Sequence, residues 1–175
     1  MKNKYKFCLF LALFYLNIFS NLNANEFNFQ TSEINITDNG NIINASNGEA
    51  TSVNGDIKIT AEKFNYNKYK SILNASSKAT ATLMPQNIKI KAENIRYNEN
   101  TSTFYAVGKA NIKDLKKNIE IKADSIEYNK TSSVFNAEGN VRLKDLTKNI
   151  LIESQNIFFD TKSKIINSNT KTIIK

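Results

Sequence analysis

IKITAEKFNY, which starts at Ile57, returns as IKIKAENIRY at Ile88, IEIKADSIEY at Ile119 and ILIESQNIFF at Ile150. The copies are evenly spaced, and nine positions after the last aromatic residue of every copy comes a small residue. A fainter copy begins at Phe27, at almost the same interval before Ile57. A fixed period is typical of one supersecondary unit repeated along a chain. The sequence therefore predicts five copies of a unit of about 31 residues.

Each copy has the pattern of a bent β-hairpin. Ile57, Ile59 and Ala61 alternate with polar residues, as in a half-buried strand. The apolar phase then shifts by one residue, to Phe64 and Tyr66, which predicts a bulge or a corner where the strand bends. A polar turn and a return strand follow. We therefore predict an all-β fold in which stacked hairpins form two facing sheets, each with an apolar inner face.

The apolar positions of these strands are the candidate binding residues. Such a face, without polar landmarks, suits the acyl chains of a lipid, whose burial is worth about 0.8 kcal/mol per CH₂. We predict a groove lined by Ile34, Ile36, Ile59, Phe64, Tyr66, Leu73, Ile90, Ile95, Tyr97, Phe104, Ile121, Ile126, Tyr128, Phe135, Ile152, Ile157 and Phe159. The alternative is that the same side chains form an ordinary closed core.

The composition excludes several kinds of site. The chain has no His and one Cys, Cys8, so zinc sites built from several Cys or His ligands and His-based nucleophilic triads are ruled out. The acidic residues are scattered over strand faces and turns without an acid/base constellation. We therefore predict that the protein is not an enzyme, and we predict no catalytic residue, metal or cofactor.

The N-terminus has the pattern of a secretory signal peptide. Lys2, Lys4 and Lys6 precede an apolar run over residues 7–19, which is too short for a bilayer span of about 20 residues. We predict a signal peptide over residues 1–24 and one exported domain over residues 25–175. Because an exported protein meets no chromosomal DNA, the net charge of +8 indicates anionic lipid, anionic glycan or simple solubility, and not nucleic acid.

Three motifs carry a family resemblance. They are FNFQTSEINI from Phe27, NGDIKITAEKFNYNK from Asn54, and the post-turn motif AVGKA from Ala106, which returns as AEGNV from Ala137. This order resembles the OstA-like periplasmic domain family of lipopolysaccharide transport, over roughly residues 27–175. The family includes LptA-like bridge proteins and the N-terminal domain of LptD-like outer-membrane translocons. The resemblance implies an open, twisted, V-shaped β-jelly roll with acyl chains between its sheets.

The resemblance also implies a function and partners. It implies a periplasmic protein that binds lipopolysaccharide through its lipid A acyl chains and passes it towards the outer membrane. Its partners would be other transport components with the same jelly roll, namely an inner-membrane-anchored donor and an outer-membrane translocon. The sequence departs from the family pattern where Ser77 and Lys78 replace Gly-Asn, and the last copy has no Gly. Because no barrel sequence follows, we expect a bridge protein or a detached translocon domain.

Two further features bear on function. The first and last strands, near residues 27–36 and 164–175, would leave unpaired sheet edges, which predicts head-to-tail assembly into an open filament. Five lysines in two matching turns are candidate ligands for lipid phosphates: Lys113, Lys116, Lys117, Lys144 and Lys148. Two other classes fit the alternation and the period, a small outer-membrane β-barrel and a β-solenoid structural protein.

Overall fold

The computed structural model describes residues 27–175, so the predicted signal peptide lies outside the described residues. Eleven strands occupy this part of the chain, with a short 3₁₀ turn over Asp38–Gly40. The strands are β1 (Phe27–Thr37), β2 (Ile42–Ser52), β3 (Ile57–Asn67), β4 (Ile72–Leu83), β5 (Ile88–Asn98), β6 (Thr103–Asp114), β7 (Ile119–Asn129), β8 (Val134–Asp145), β9 (Ile150–Asp160), β10 (Ile165–Asn167) and β11 (Ile173–Ile174). Within the same residues, no helix has the length and apolar content needed to cross a membrane.

The strands form one antiparallel sheet in which chain neighbours pair, from β1 to β10. Strand β11 pairs with the first half of β9, beside the half that pairs with β10. The five predicted hairpins are confirmed, because the strands pair two by two in the predicted order. The two predicted sheets are instead the two halves of one continuous sheet, since each long strand runs through both.

The sheet folds over along a line of β-bulges at mid-strand. Strands β4, β6 and β8 each hold one extra residue there, and their pairing with both neighbours shifts register. Two successive residues with positive φ form each bulge, namely Ser77-Lys78, Gly108-Lys109 and Gly139-Asn140. The predicted corner is therefore confirmed, but the extra residue lies in the return strand. The phase shift in the outgoing strand marks the same bend without an insertion.

Folding over gives two layers and two rims. The turns inside each repeat lie along one rim, which we call the hairpin rim. The turns between repeats lie along the other rim, which we call the inter-repeat rim. The layer next to each rim takes the same name. The layers face each other: the Phe27 ring, in the inter-repeat layer, lies 5.6 Å from the Tyr66 ring and 6.1 Å from the Tyr97 ring, both in the hairpin layer.

The core lies between the two layers. Alternate residues of almost every strand belong to it, because successive side chains of a strand point to opposite faces of the sheet. The hairpin layer contributes most of the aromatic rings, and the inter-repeat layer contributes mainly isoleucines and alanines. The architecture is an open, unclosed β-jelly roll, as predicted.

The last repeat departs from the others in its return strand. Where β4, β6 and β8 run unbroken, residues 168–172 separate β10 from β11. Hydroxyl groups hold this segment to β9: Ser154 Oγ lies 2.8 Å from both Ser168 Oγ and Thr170 Oγ1. The C-terminal edge of the sheet therefore consists of two short pieces, whereas the N-terminal edge is the 11-residue strand β1.

Candidate functional site

A file of aromatic rings runs along the hairpin layer. Tyr97, Phe104, Tyr128, Phe135 and Phe159 stand directly opposite one another on successive strands. Their rings stack with centroid distances of 4.3, 6.5, 4.4 and 6.1 Å. Repetition of the same strand position in each copy produces this file. It gives the interior a continuous apolar wall of nearly parallel rings.

The pKa values of two tyrosines in this file are strongly raised. Burial raises the pKa of Tyr97 to about 12, and the nearby carboxylates Glu99 and Asp56 act in the same direction. Burial likewise raises the pKa of Tyr128 to about 12, with Asp114 contributing. Both phenols are therefore neutral at any physiological pH. The wall presents no charge to an apolar ligand.

Most of the predicted groove residues are packed against one another. Thirteen of them are buried, each no more than 4% exposed: Ile59, Phe64, Tyr66, Leu73, Ile90, Ile95, Tyr97, Phe104, Ile121, Ile126, Tyr128, Phe135 and Ile157. Ile152 and Phe159, also buried, line a cavity described below. Along its middle, the space between the layers is thus filled by the side chains themselves.

The remaining two predicted residues lie at the N-terminal end. Ile34 and Ile36 are 51% and 55% exposed. They stand opposite Ala45 and Ile43 of β2, both buried, and therefore share the inner face of the sheet with them. The inner face of β1 is thus uncovered at this end.

At the C-terminal end the layers separate around a cavity of about 360 Å³. That volume is within the range of small-ligand pockets. Its apolar lining comes from both layers, with Ile119, Leu143, Ile150, Ile152, Phe159 and Ile166. The cavity opens between the two rims at the last repeat, and its lining comes from turns of both rims and from strands β7, β8, β9 and β10.

Lysines surround the mouth of this cavity. Lys117, Lys148 and Lys164 all line it, together with Asp145. Lys117 Nζ donates to the Thr161 carbonyl oxygen at 3.3 Å and so joins the inter-repeat rim to the hairpin rim. A second bridge between the rims is the ion pair of Lys130 Nζ with Asp56 Oδ2, at 3.5 Å.

The five candidate lysines divide into two groups. Lys117 and Lys148 reach the cavity mouth. Lys113 lies on the outer face of the sheet, where its Nζ is 3.6 Å from Glu120 Oε1, and Lys144 lies opposite Glu120 on the same face. Lys116 Nζ donates to the Pro85 carbonyl oxygen at 2.6 Å, between neighbouring turns.

Sequence reasoning missed the cavity as a distinct site. Its apolar lining includes Ile119, Leu143, Ile150 and Ile166, which were not among the predicted groove residues. The sequence did not single out Lys164, because it ends a polar turn like those of the other repeats.

Together these features define a class of protein: an unclosed β-jelly roll folded over an apolar interior that widens into a cavity at one end. Among solved structures, the chain is similar to LptH, the LptA homologous periplasmic component of the conserved lipopolysaccharide transport device from Pseudomonas aeruginosa. The TM-score is 0.60, and the match covers 68% of this chain and 93% of that chain at 14% identity. The likeness confirms the predicted fold. No family model and no curated protein matches the sequence.

Proposed function

We propose that this protein is a periplasmic lipopolysaccharide carrier that shields acyl chains between its two layers and passes the lipid towards the outer membrane. The observation that carries the proposal is the apolar cavity with a lysine-lined mouth, set in a fold shared with LptH. The predicted signal peptide would deliver the chain to the compartment where such a carrier works.

The chemistry of the cavity suits a phosphorylated glycolipid. Acyl chains gain about 0.8 kcal/mol for each buried CH₂, so even a short buried segment holds the lipid out of water. The lysine ammonium groups of Lys117, Lys148 and Lys164 lie where the phosphates of a lipid A headgroup would remain in solvent. The neutral phenols of Tyr97 and Tyr128 keep the path beyond the cavity uncharged.

The lipid path continues from the cavity along the aromatic file. Because the sheet is unclosed, the layers are joined along one side only, at the line of bulges, and an acyl chain can separate the packed side chains of the two layers without breaking a ladder of backbone hydrogen bonds. The groove residues of the middle repeats then serve as successive contacts for a moving chain. The two bridges between the rims are the polar contacts that such an opening breaks.

The partners follow from the two ends. Strand β1 offers an uninterrupted edge with Ile34 and Ile36 exposed beside it, and β10 and β11 offer the opposite edge. Edge-to-edge addition joins the interiors of successive molecules into one path. The same edges suit jelly rolls of the inner-membrane-anchored donor and of the outer-membrane translocon.

Photo-crosslinking in cells tests the proposal. A benzoyl-phenylalanine at Ile150 or Phe159 faces the cavity, and one at Phe135 faces the packed middle. We expect lipopolysaccharide adducts, identified by mass spectrometry, from both regions. The matched control is Tyr69, which is 68% exposed on the hairpin rim. Absence of a glycolipid adduct from all three interior positions, or equal labelling from Tyr69, would contradict the proposal.

A further inference from the structure

Four exposed apolar side chains form a rail along the inter-repeat rim. They occupy the same position in four successive turns, and their exposed fractions are 64% at Val53, 54% at Met84, 54% at Leu115 and 63% at Leu146. Large apolar residues at scattered surface positions need no explanation, but a regular row of them along one rim is a candidate contact surface. The function proposed above does not use this row.

The rail is held rigidly by its backbone. The amide of Met84 donates to the Asp56 carbonyl oxygen, that of Leu115 to Asn87, and that of Leu146 to Asn118, at 2.9, 3.0 and 2.9 Å. Each turn is thereby stacked on the previous one. Since two strands separate successive turns, neighbouring rail residues lie about 10 Å apart and the whole rail is about 30 Å long. The backbone hydrogen bonds therefore hold the four side chains in a fixed order along the rim.

A basic row runs beside the rail on the outer face of the inter-repeat layer. It contains Lys58, Lys89, Lys113 and Lys144, and Glu120 is the acidic residue among them. Lys89 and Lys113 stand directly opposite each other on neighbouring strands. Like charges in that arrangement are destabilising, so the row is not optimised for the stability of the sheet.

The acidic residues of the turns do not neutralise this row. Asp114 Oδ1 accepts the Lys117 amide at 2.9 Å, and Asp145 Oδ1 accepts the Lys148 amide at 2.9 Å, so both carboxylates are directed into their own turns. Within residues 27–175, Lys89 and Lys144 make no ion pair. Lys58 and Lys113 are paired, with Glu49 at 3.0 Å and with Glu120 at 3.6 Å, and the four lysines still outnumber the acidic residue of the row. The rim therefore presents an apolar edge flanked by a net positive charge.

We propose that the inter-repeat rim docks on the surface of an anionic lipid bilayer. The rail enters the boundary between headgroups and acyl chains, and the lysine row lies on the anionic headgroups. Lysines, which act as point charges, suit a fluid layer of headgroups better than a ligand of fixed shape. This docking is independent of any lipid in the interior.

Vesicle co-sedimentation tests the proposal with protein starting at Asn25, because the apolar run at residues 7–19 would enter vesicles by itself. We expect binding to vesicles of phosphatidylcholine with about a third phosphatidylglycerol, weaker binding at high salt, and little binding to pure phosphatidylcholine. The double variant Lys89→Gln/Lys144→Gln should weaken binding about fivefold for each lysine. The double variant Leu115→Ser/Leu146→Ser should weaken it about tenfold.

Matched controls lie on the opposite rim. Lys70→Gln/Lys162→Gln removes two exposed charges there, and Tyr69→Ser removes an exposed ring. These variants should bind vesicles like the unchanged protein. Equal losses in the rim variants and their controls, or no preference for anionic vesicles, would overturn the proposal. A rim variant that no longer binds dispersed lipopolysaccharide but still binds vesicles would also overturn it. The rim would then bind the transported lipid and not the bilayer.

A fluorescence measurement reports insertion directly. The chain contains no Trp, so Leu115→Trp places a single indole on the rail and Tyr69→Trp places one on the hairpin rim. With anionic vesicles we expect a blue shift of the emission, and quenching by brominated acyl chains, for Leu115→Trp alone. An unchanged spectrum for Leu115→Trp under conditions where the protein binds the vesicles would overturn insertion of the rail.

Discussion

At the scale of single residues, the bend of the sheet depends on a few positions with positive φ. Gly108 and Gly139 occupy the bulges of β6 and β8, with φ of 84° and 75°. A Cβ added at Gly139 would lie 2.3 Å from Asp124 Oδ2, which itself accepts from Asn140 Nδ2 at 2.9 Å. Glycine is therefore the least strained residue at these positions, for backbone conformation and for space.

Replacing the second bulge glycine tests this requirement. We expect Gly139→Ala to reduce the free energy of unfolding by about 2 kcal/mol or more, because strain and the contact with Asp124 add. Urea unfolding measures the change. Gly40→Ala is the control, since Gly40 also has positive φ (92°) but open space around it. It should cost only about 1 kcal/mol, and equal losses would mean that the contact with Asp124 is unimportant.

The first bulge offers the opposite experiment. Ser77 occupies the position equivalent to Gly108 and Gly139, with φ of 63°, so the departure from the family pattern leaves the bulge in place but strained. We expect Ser77→Gly to raise the free energy of unfolding by about 0.5–1 kcal/mol, because glycine adopts this conformation without a steric cost. A loss of stability in the same urea titration would show that Ser77 makes a compensating contact.

The buried phenols predict a loss of stability in alkali. The unfolded pKa of tyrosine is about 10, and that of folded Tyr128 is raised to about 12. Between these values the unfolded state releases a proton that the folded state keeps, so stability is present below pH 10 and declines as the pH rises to 12. The melting temperature of Tyr128→Phe should therefore fall less between pH 10 and pH 12 than that of the unchanged protein. Tyr69→Phe, at an exposed ring, should not differ from it.

At the scale of elements, the two terminal repeats differ from the three between them. In the middle repeats both strands of each hairpin have partners on both sides, so their backbone groups are paired along the strands except at the bulges. Strand β1 has a partner on one side, and β10 and β11 cover only parts of β9. The ends are thus where the molecule can bind another strand and where its interior is accessible.

Head-to-tail assembly is the expected behaviour of these edges. We expect a concentration-dependent series of oligomers in sedimentation velocity, and we expect deletion of residues 165–175 to abolish it by removing β10 and β11. A milder variant, Ile36→Lys, places a charge beside the exposed β1 edge and should weaken association at least tenfold. Its control is Tyr69→Lys, which is away from both edges. A monomer at high concentration, unaffected by the deletion, would contradict the prediction.

At the scale of the whole molecule, the interior is packed in its middle and widens at the C-terminal end. The wider part lies between the rims, where Ile150 and Ile152 of β9 line the cavity together with turn residues of both rims. The lysines at the mouth and the bridge from Lys117 to Thr161 lie at the same place. A ligand with an apolar tail and an anionic head thus finds both its complements at one end.

Filling the cavity should block lipid uptake. We expect Ile150→Trp to weaken displacement of a fluorescent fatty-acid probe by lipopolysaccharide about tenfold, because the indole occupies the space that a tail of two or more CH₂ groups would take. The control, Leu146→Trp, places the same ring on the exposed inter-repeat rim nearby. Equal effects of the two variants, or no effect of either, would show that lipid does not enter at this end.

The sequence predicted those features that depend on local pattern. Alternation at Ile57, Ile59 and Ala61, followed by the phase shift at Phe64, determined the hairpins, their order and their bend, because strand patterns act over few residues. The distribution of space inside the molecule was not predictable. It depends on how far the two layers separate at the last repeat, which is a property of the folded sheet.

Strict neighbour-to-neighbour stacking of the hairpins makes the size of this molecule adjustable. Within residues 27–175 the path from β1 to β10 has no crossover, so duplicating one repeat adds two strands without disturbing the pairing elsewhere. Each duplication would lengthen the apolar interior by about 10 Å. The length of the apolar interior can therefore change with the number of copies, with no redesign of the contacts inside any of them.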